Sequence, residues 1–155
     1  MIVYKLSKQQ YASDLSGKGA EMYGGRWNSK GIPIVYTSAS RALCVAELAV
    51  NLALGLTPPD YRLVVIDIPE DSIYKLPRDQ YPEDWRSVPH IDTTQLIGDS
   101  FILDSKHLVL KVESAVVQDE YNYLINPRHR LFSEVKTIEV QEFRFDSRLG
   151  SRGQR

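Results

Sequence analysis

The spacing of apolar and polar positions assigns most elements of this chain. Residues 2–6 (IVYKL) predict a short opening strand. A second follows at 33–37, where β-branched residues run behind a proline. Good helix formers then occupy 39–54, with Ser38 placed as N-cap and Gly55, ahead of Pro58 and Pro59, as the stop. Apolar residues almost encircle that helix, which predicts that it is well buried. Residues 61–68 (YRLVVIDI) form a nearly continuous apolar run, the pattern of a central strand. Pro, Asp and Tyr crowd 69–94, which predicts irregular structure anchored by Trp85. Thr93 or Thr94 is placed to cap a helix reaching Asp104, with Leu96, Ile97 and Phe101 on one face. Further along, 107–112 reads as a strand, 121–127 as a turn, and 135–140 and 142–145 as two short strands. Upstream, Gly17, Gly19, Gly24, Gly25, Asn28 and Gly31 predict a loop over 14–31. The elements do not alternate as βαβ units. They predict an α+β fold, a single compact domain over 1–149 with a central mixed or antiparallel sheet, and a disordered polar tail at 150–155.

Composition narrows the function classes. A chain of 155 residues supports one hydrophobic core rather than two. With Lys+Arg 19 against Asp+Glu 20 the net charge is −1, too little positive charge for this chain to bind bulk nucleic acid. Cys44 is the lone cysteine, so a reducing compartment is permitted. The N-terminus lacks a signal-peptide pattern, and the most apolar window, 42–56, carries Glu47 and Asn51. The expectation is a cytoplasmic protein without membrane contact. His90, His107 and His129 show no ligand spacing, so no metal is expected.

Glu47 is the most informative charged residue, because Leu43 and Val50 lie one turn before and after it on an apolar helix. A carboxylate there either reaches solvent, pairs with an arginine, or sits in an apolar pocket to steady developing positive charge. Arg26, in GGRWN, offers a bidentate fork for a phosphate or carboxylate, Gly24 and Gly25 permit close backbone approach, and Trp27 can stack. Tyr36 reads as a core tyrosine with its hydroxyl at the sheet edge. Ser114 follows a strand without a nucleophile elbow or a histidine partner, which favours a hydrogen-bonding role over a nucleophilic one. Asn122 and Asn126, ahead of Pro127, read as turn formers, and Cys44 as a packed small side chain.

Taken in order, the blocks DLSGKGAEMYGGRWNSKG, PIVYTSASRALCVAEL, ESAVVQDEYNYLINPRH and the closing FRFDSRL resemble the RES-domain toxin family. The resemblance implies an architecture similar to ADP-ribosyltransferase toxins. It implies NAD⁺ as substrate rather than cofactor, degraded at the nicotinamide–ribose bond by hydrolysis or phosphorolysis. It also implies an Xre-type helix-turn-helix antitoxin, with which the chain would form a hetero-oligomer. The family Arg, Tyr, Glu and Ser fall on Arg26, Tyr36, Glu47 and Ser114 as catalytic residues. NAD⁺ binding would involve Arg26, Tyr36, Gly25, Trp27, Asn126 and Lys5, the last replacing an arginine usual in the family. Two usual prolines are Glu113 and Gln118 here. Alternatives are transfer of ADP-ribose to a protein, and an inactive module that only binds nucleotide.

Overall fold

The computed structural model of the chain describes residues 1–52 and 59–149. Seven strands form one sheet in the order β4-β5-β6-β2-β1-β3-β7, with β1 at Ile2–Lys8, β2 at Val35–Ser38, β3 at Tyr61–Asp67, β4 at Ile73–Lys75, β5 at Val109–Glu113, β6 at Tyr121–Ile125 and β7 at Lys136–Phe143. Among the described residues only β4 and β5 pair in parallel. Among the described residues three α-helices complete an α+β domain: α1 (Lys18–Tyr23), α2 (Arg41–Ala49) and α3 (Asp92–Asp104).

Both faces of the sheet's central strands are buried, whereas the edge strand β7 is largely exposed. One layer contains Val3, Val35, Val64, Ile66, Val109 and Ile125. The other contains Ile34, Leu110, Val112 and Leu124, packed with Trp27, Trp85 and Ile102. Four successive residues of β3, Leu63 to Ile66, are therefore buried, as a strand covered on both sides requires. The sheet has a weak seam. β1 pairs with β3 over its whole length, whereas it meets β2 through the single pair Tyr4–Ser38. Helix α2 packs against both β1 and β2 and so spans that seam.

Several expected boundaries shift. Ser38 is the last residue of β2, and the N-cap of α2 is Ser40, whose hydroxyl accepts the Leu43 N–H at 3.1 Å. Within α2 the buried residues are Leu43 and Cys44, and Val50 just beyond it is exposed, so the helix covers the sheet with one stripe and is not enclosed. Leu54, Gly55 and Pro58 of the expected helix end, and the expected tail, lie outside the described residues. Helix α3 starts at Asp92, before either threonine, and Leu96 faces outward while Thr94, Gly98 and Ile102 form its buried stripe. The expected loop over 14–31 contains α1.

The expected turn at 121–127 is mostly strand β6, inserted between β5 and β2. Two asparagines and a proline signalled a turn, but the alternating neighbours of a strand paired on both edges decided the outcome. The two short strands expected near the C-terminus are one continuous strand, β7, whose pairing to β3 is irregular between Val65 and Ile66. Short β4 inside 69–94 was not expected. Trp85 does anchor that segment, at 7% exposure.

Candidate active site

Glu47 lies on α2 over the seam, half-buried. Two donors converge on its Oε1. The Ser114 hydroxyl donates at 2.6 Å, and the Asn122 side-chain N–H donates at 2.6 Å. Each donor is itself oriented. Ser114, just beyond β5, accepts the Val116 and Val117 N–H groups at 3.1 and 3.0 Å, which directs its own proton to Glu47. Asn122 accepts the Ser38 hydroxyl at 2.7 Å on its amide oxygen, which turns its NH₂ toward the carboxylate. Ser38 and Asn122 are directly opposed across β2 and β6, so the sheet register builds the triplet. Charge-assisted bonds of this length are strong and directional. Oε2 accepts no hydrogen bond among the described residues and is not a sealed atom.

Sequence reasoning anticipated Glu47 and Ser114 but took Asn122 for a turn residue. Of the arrangements open to Glu47 (solvent, an arginine, or an apolar pocket), none named its direct partners, a hydroxyl and an amide. The discoverable signal was parity: once 121–125 is a strand opposite 35–38, Asn122 shares a face with Ser38 and with Tyr36.

Arg26 is fixed by the segment that carries Trp85 and Ser87. Its Nη1 donates to the carbonyls of Trp85 at 2.7 Å and Ser87 at 3.0 Å. Nε and Nη2 make no hydrogen bond among the described residues, which leaves an edge of the guanidinium for a ligand. Burial lowers the Arg26 pKa from its usual range, and the field of the Glu47 carboxylate opposes that shift. A second opposing contribution comes from Tyr36.

The loop that carries Arg26 is held by Tyr36. Its hydroxyl donates to Asn28 Oδ1 at 2.6 Å and accepts the Trp27 N–H at 3.1 Å. Asn28 is fully buried and donates to the carbonyls of Ala20 and Ile32. Burial pushes the Tyr36 pKa well up, so this phenol stays protonated. Gly25 is required here because a Cβ would stand 2.7 Å from the Tyr36 hydroxyl. Gln95 on α3 donates to the Gly25 and Asn28 carbonyls at 3.0 and 3.2 Å, which ties the loop to that helix.

Three other expected ligand contacts are placed elsewhere. Trp27 is 3% exposed and packs edge-on to Tyr81 and tilted against Trp85, so its ring belongs to the core rather than to a stacking surface. Asn126 is fully buried, donates to Ile102 and Ser105, and accepts the Arg128 N–H, which accounts for its polar atoms without a ligand. Lys5 lies on the far face of the sheet. Opposed residues share a face, so Tyr4, Ser38 and Tyr36 point one way and Lys5 the other, beside Val64. Its ammonium donates to the Asp14 carbonyl at 2.8 Å, and burial lowers its pKa against the pull of Asp14.

These features define an α+β domain with an oriented carboxylate on a helix that spans a sheet seam. Its chain path matches a solved structure, that of the M. tuberculosis MbcT–MbcA toxin–antitoxin complex, at a TM-score of 0.68 over 96% of this chain and 85% of that one. Identity in that comparison is 19%, so the likeness is one of fold. The RES domain family model matches residues 2–147, and the chain belongs to that family. A protein named Toxin Res from Yersinia enterocolitica is 36% identical over 151 residues, covering 96% of this chain and 99% of the relative. A second Toxin Res, from Photorhabdus laumondii, is 38% identical over 151 residues, 96% of this chain and 97% of its own. A protein named Prs ADP-ribosylating toxin from Sphingobium is 35% identical over 141 residues, 89% of this chain and 88% of its own.

Proposed function

We propose that this chain is the toxin of a toxin–antitoxin pair and that it cleaves the nicotinamide–ribose bond of NAD⁺. The observation that carries the reading is Glu47, with Oε1 clamped by Ser114 and Asn122 and Oε2 open. As nicotinamide departs with the bonding electron pair, the ribose C1′ takes on oxocarbenium character. A preorganised carboxylate stabilises that charge without reorganising. Nicotinamide leaves neutral and needs no general acid. The unused edge of Arg26 suits the pyrophosphate, which would fix the anomeric carbon against Glu47. Tyr36 and Gly25 act indirectly by positioning the Arg26 loop. Lys5, Trp27 and Asn126 have structural partners and are left out of the binding set.

Water as acceptor gives ADP-ribose and a proton; inorganic phosphate gives ADP-ribose 1″-phosphate. The test is purified chain incubated with NAD⁺, with and without phosphate, following nicotinamide and the ribosyl product. Release that depends on Glu47 supports the reading, and absence of release under both conditions with a folded protein overturns it. A second reading, transfer of ADP-ribose to a protein side chain, is favoured by the name of the Sphingobium relative. It predicts that label from the adenylate half of NAD⁺ stays on a protein band. The antitoxin partner is inferred from the M. tuberculosis complex, and its Xre type from the family resemblance.

A further inference from the structure

Glu113 has no part in the chemistry above, yet two arginines meet its carboxylate beside the site. Its side chain is only 12% exposed and meets two arginines that are 79% and 51% exposed. Arg78 Nη2 approaches Oε1 at 3.4 Å, and Arg86 Nη2 approaches Oε2 at 3.4 Å. The backbone N–H of Glu113 donates to the Tyr81 hydroxyl at 2.9 Å. All three partners belong to residues 78–87, a segment whose only regular structure is one short 3₁₀ turn.

That segment is where Arg26 is fastened, through the carbonyls of Trp85 and Ser87. It is also welded to the Arg26 loop by the aromatic trio Trp27, Tyr81 and Trp85, and Arg86 lies over the Trp85 ring at 4.5 Å. On its other side Glu113 is the last residue of β5 and immediately precedes Ser114, the donor to Glu47. One carboxylate thus joins the two halves of the site. Its backbone leads into the clamp on Glu47, and its side chain grips the segment that holds Arg26.

We infer that Glu113 is a positioning residue, which through Arg78 and Arg86 sets the distance between the Arg26 guanidinium and the Glu47 carboxylate and so tunes affinity for a dinucleotide pyrophosphate. This rests on the proposed NAD⁺ reading for its substrate, but the mechanical part stands apart from it. A buried acid without its cations would be costly, whereas the exposed arginines lose little when released. Neutralising Glu113 therefore loosens residues 78–87 without unfolding the sheet.

The experiment compares wild type, Glu113→Gln and Arg86→Gln by amide hydrogen exchange and by nicotinamide-release kinetics. Arg86 is half-exposed, so its variant folds even if the first does not. Expected are exchange about threefold to tenfold faster in residues 78–87 alone, KM for NAD⁺ raised by a similar factor, and kcat within about twofold. The double variant should do little more than Glu113→Gln alone, which already breaks both arginine contacts, whereas Arg86→Gln leaves the Arg78 contact in place. Unchanged exchange in 78–87, or a fall in kcat at constant KM, overturns the proposal. If wild type releases no nicotinamide, the NAD⁺ reading fails, and the exchange result still decides whether Glu113 holds the segment.

Discussion

Glu47→Gln tests the carboxylate with little geometric disturbance, because both donors bind the same oxygen. Ser114 and Asn122 each donate to Oε1 at 2.6 Å, so a glutamine carbonyl in that position keeps both bonds and places its NH₂ where Oε2 stood. The substitution removes the charge and leaves the scaffold. At an effective dielectric of about 20 and a separation of about 4 Å, a unit positive charge and the carboxylate attract by about 4 kcal/mol. The half-exposed position of Glu47 makes that dielectric the suitable choice. If the full charge develops at C1′ only in the transition state, kcat should drop by about a thousandfold. Affinity for NAD⁺, measured by calorimetry, should change by less than about threefold, because the pyrophosphate contact rests on Arg26. The assay is nicotinamide release under substrate saturation, with urea denaturation as the folding control. A variant that retains more than about a tenth of wild-type kcat would refute the electrostatic role.

Three further outcomes follow from the same contacts. Asn122→Ala removes one of the two charge-assisted bonds to Glu47, worth about 1.5–3 kcal/mol, and should lower kcat by about tenfold to a hundredfold; wild-type turnover would show that Ser114 alone suffices. Gly98→Ala sets a Cβ into the Trp27 carbonyl, a backbone contact that does not yield, so urea unfolding should show a loss of about 3 kcal/mol or more, and an unchanged midpoint would contradict the packing described. Burial pushes the Cys44 thiol from 9.0 up to about 11. A raised folded-state pKa contributes stability that is complete below about pH 9 and lost as pH rises through about 11, a total of about 3 kcal/mol. Cys44→Ala should unfold with a flatter alkaline dependence than wild type, and identical profiles would count against the burial.

The legibility of this sequence follows the range of the interactions involved. β3 was plain because four consecutive apolar residues suit only a strand covered on both faces. Glu47 was conspicuous because a charge interrupted an apolar helix. Asn122 was missed because its role exists only across the β2–β6 register, eighty-odd residues from Ser38, and locally it resembles a turn former. Trp27 and Asn126 have residue types able to bind a nucleotide, but in the structure the one packs in the core and the other bonds the Ile102 carbonyl and the Ser105 hydroxyl. Lys5 carried the right charge at the position the family resemblance indicates, but strand parity turned it to the other face. The order of motif blocks nominated the candidate residues; the pairing of strands decided which of them touch.

The clamp on Glu47 is assembled from residues 114 and 122, well after the helix that bears it. Synthesis runs from the N-terminus, so α2 emerges with its carboxylate unoriented, and β2 lacks its β6 neighbour until Tyr121–Ile125 has been made and paired. A nascent or prematurely terminated chain ending before Ser114 holds the glutamate and the arginine without either donor, and one ending before Asn122 holds them with Ser114 alone. For a protein proposed to poison its own producer, that order delays potency until most of the polypeptide exists.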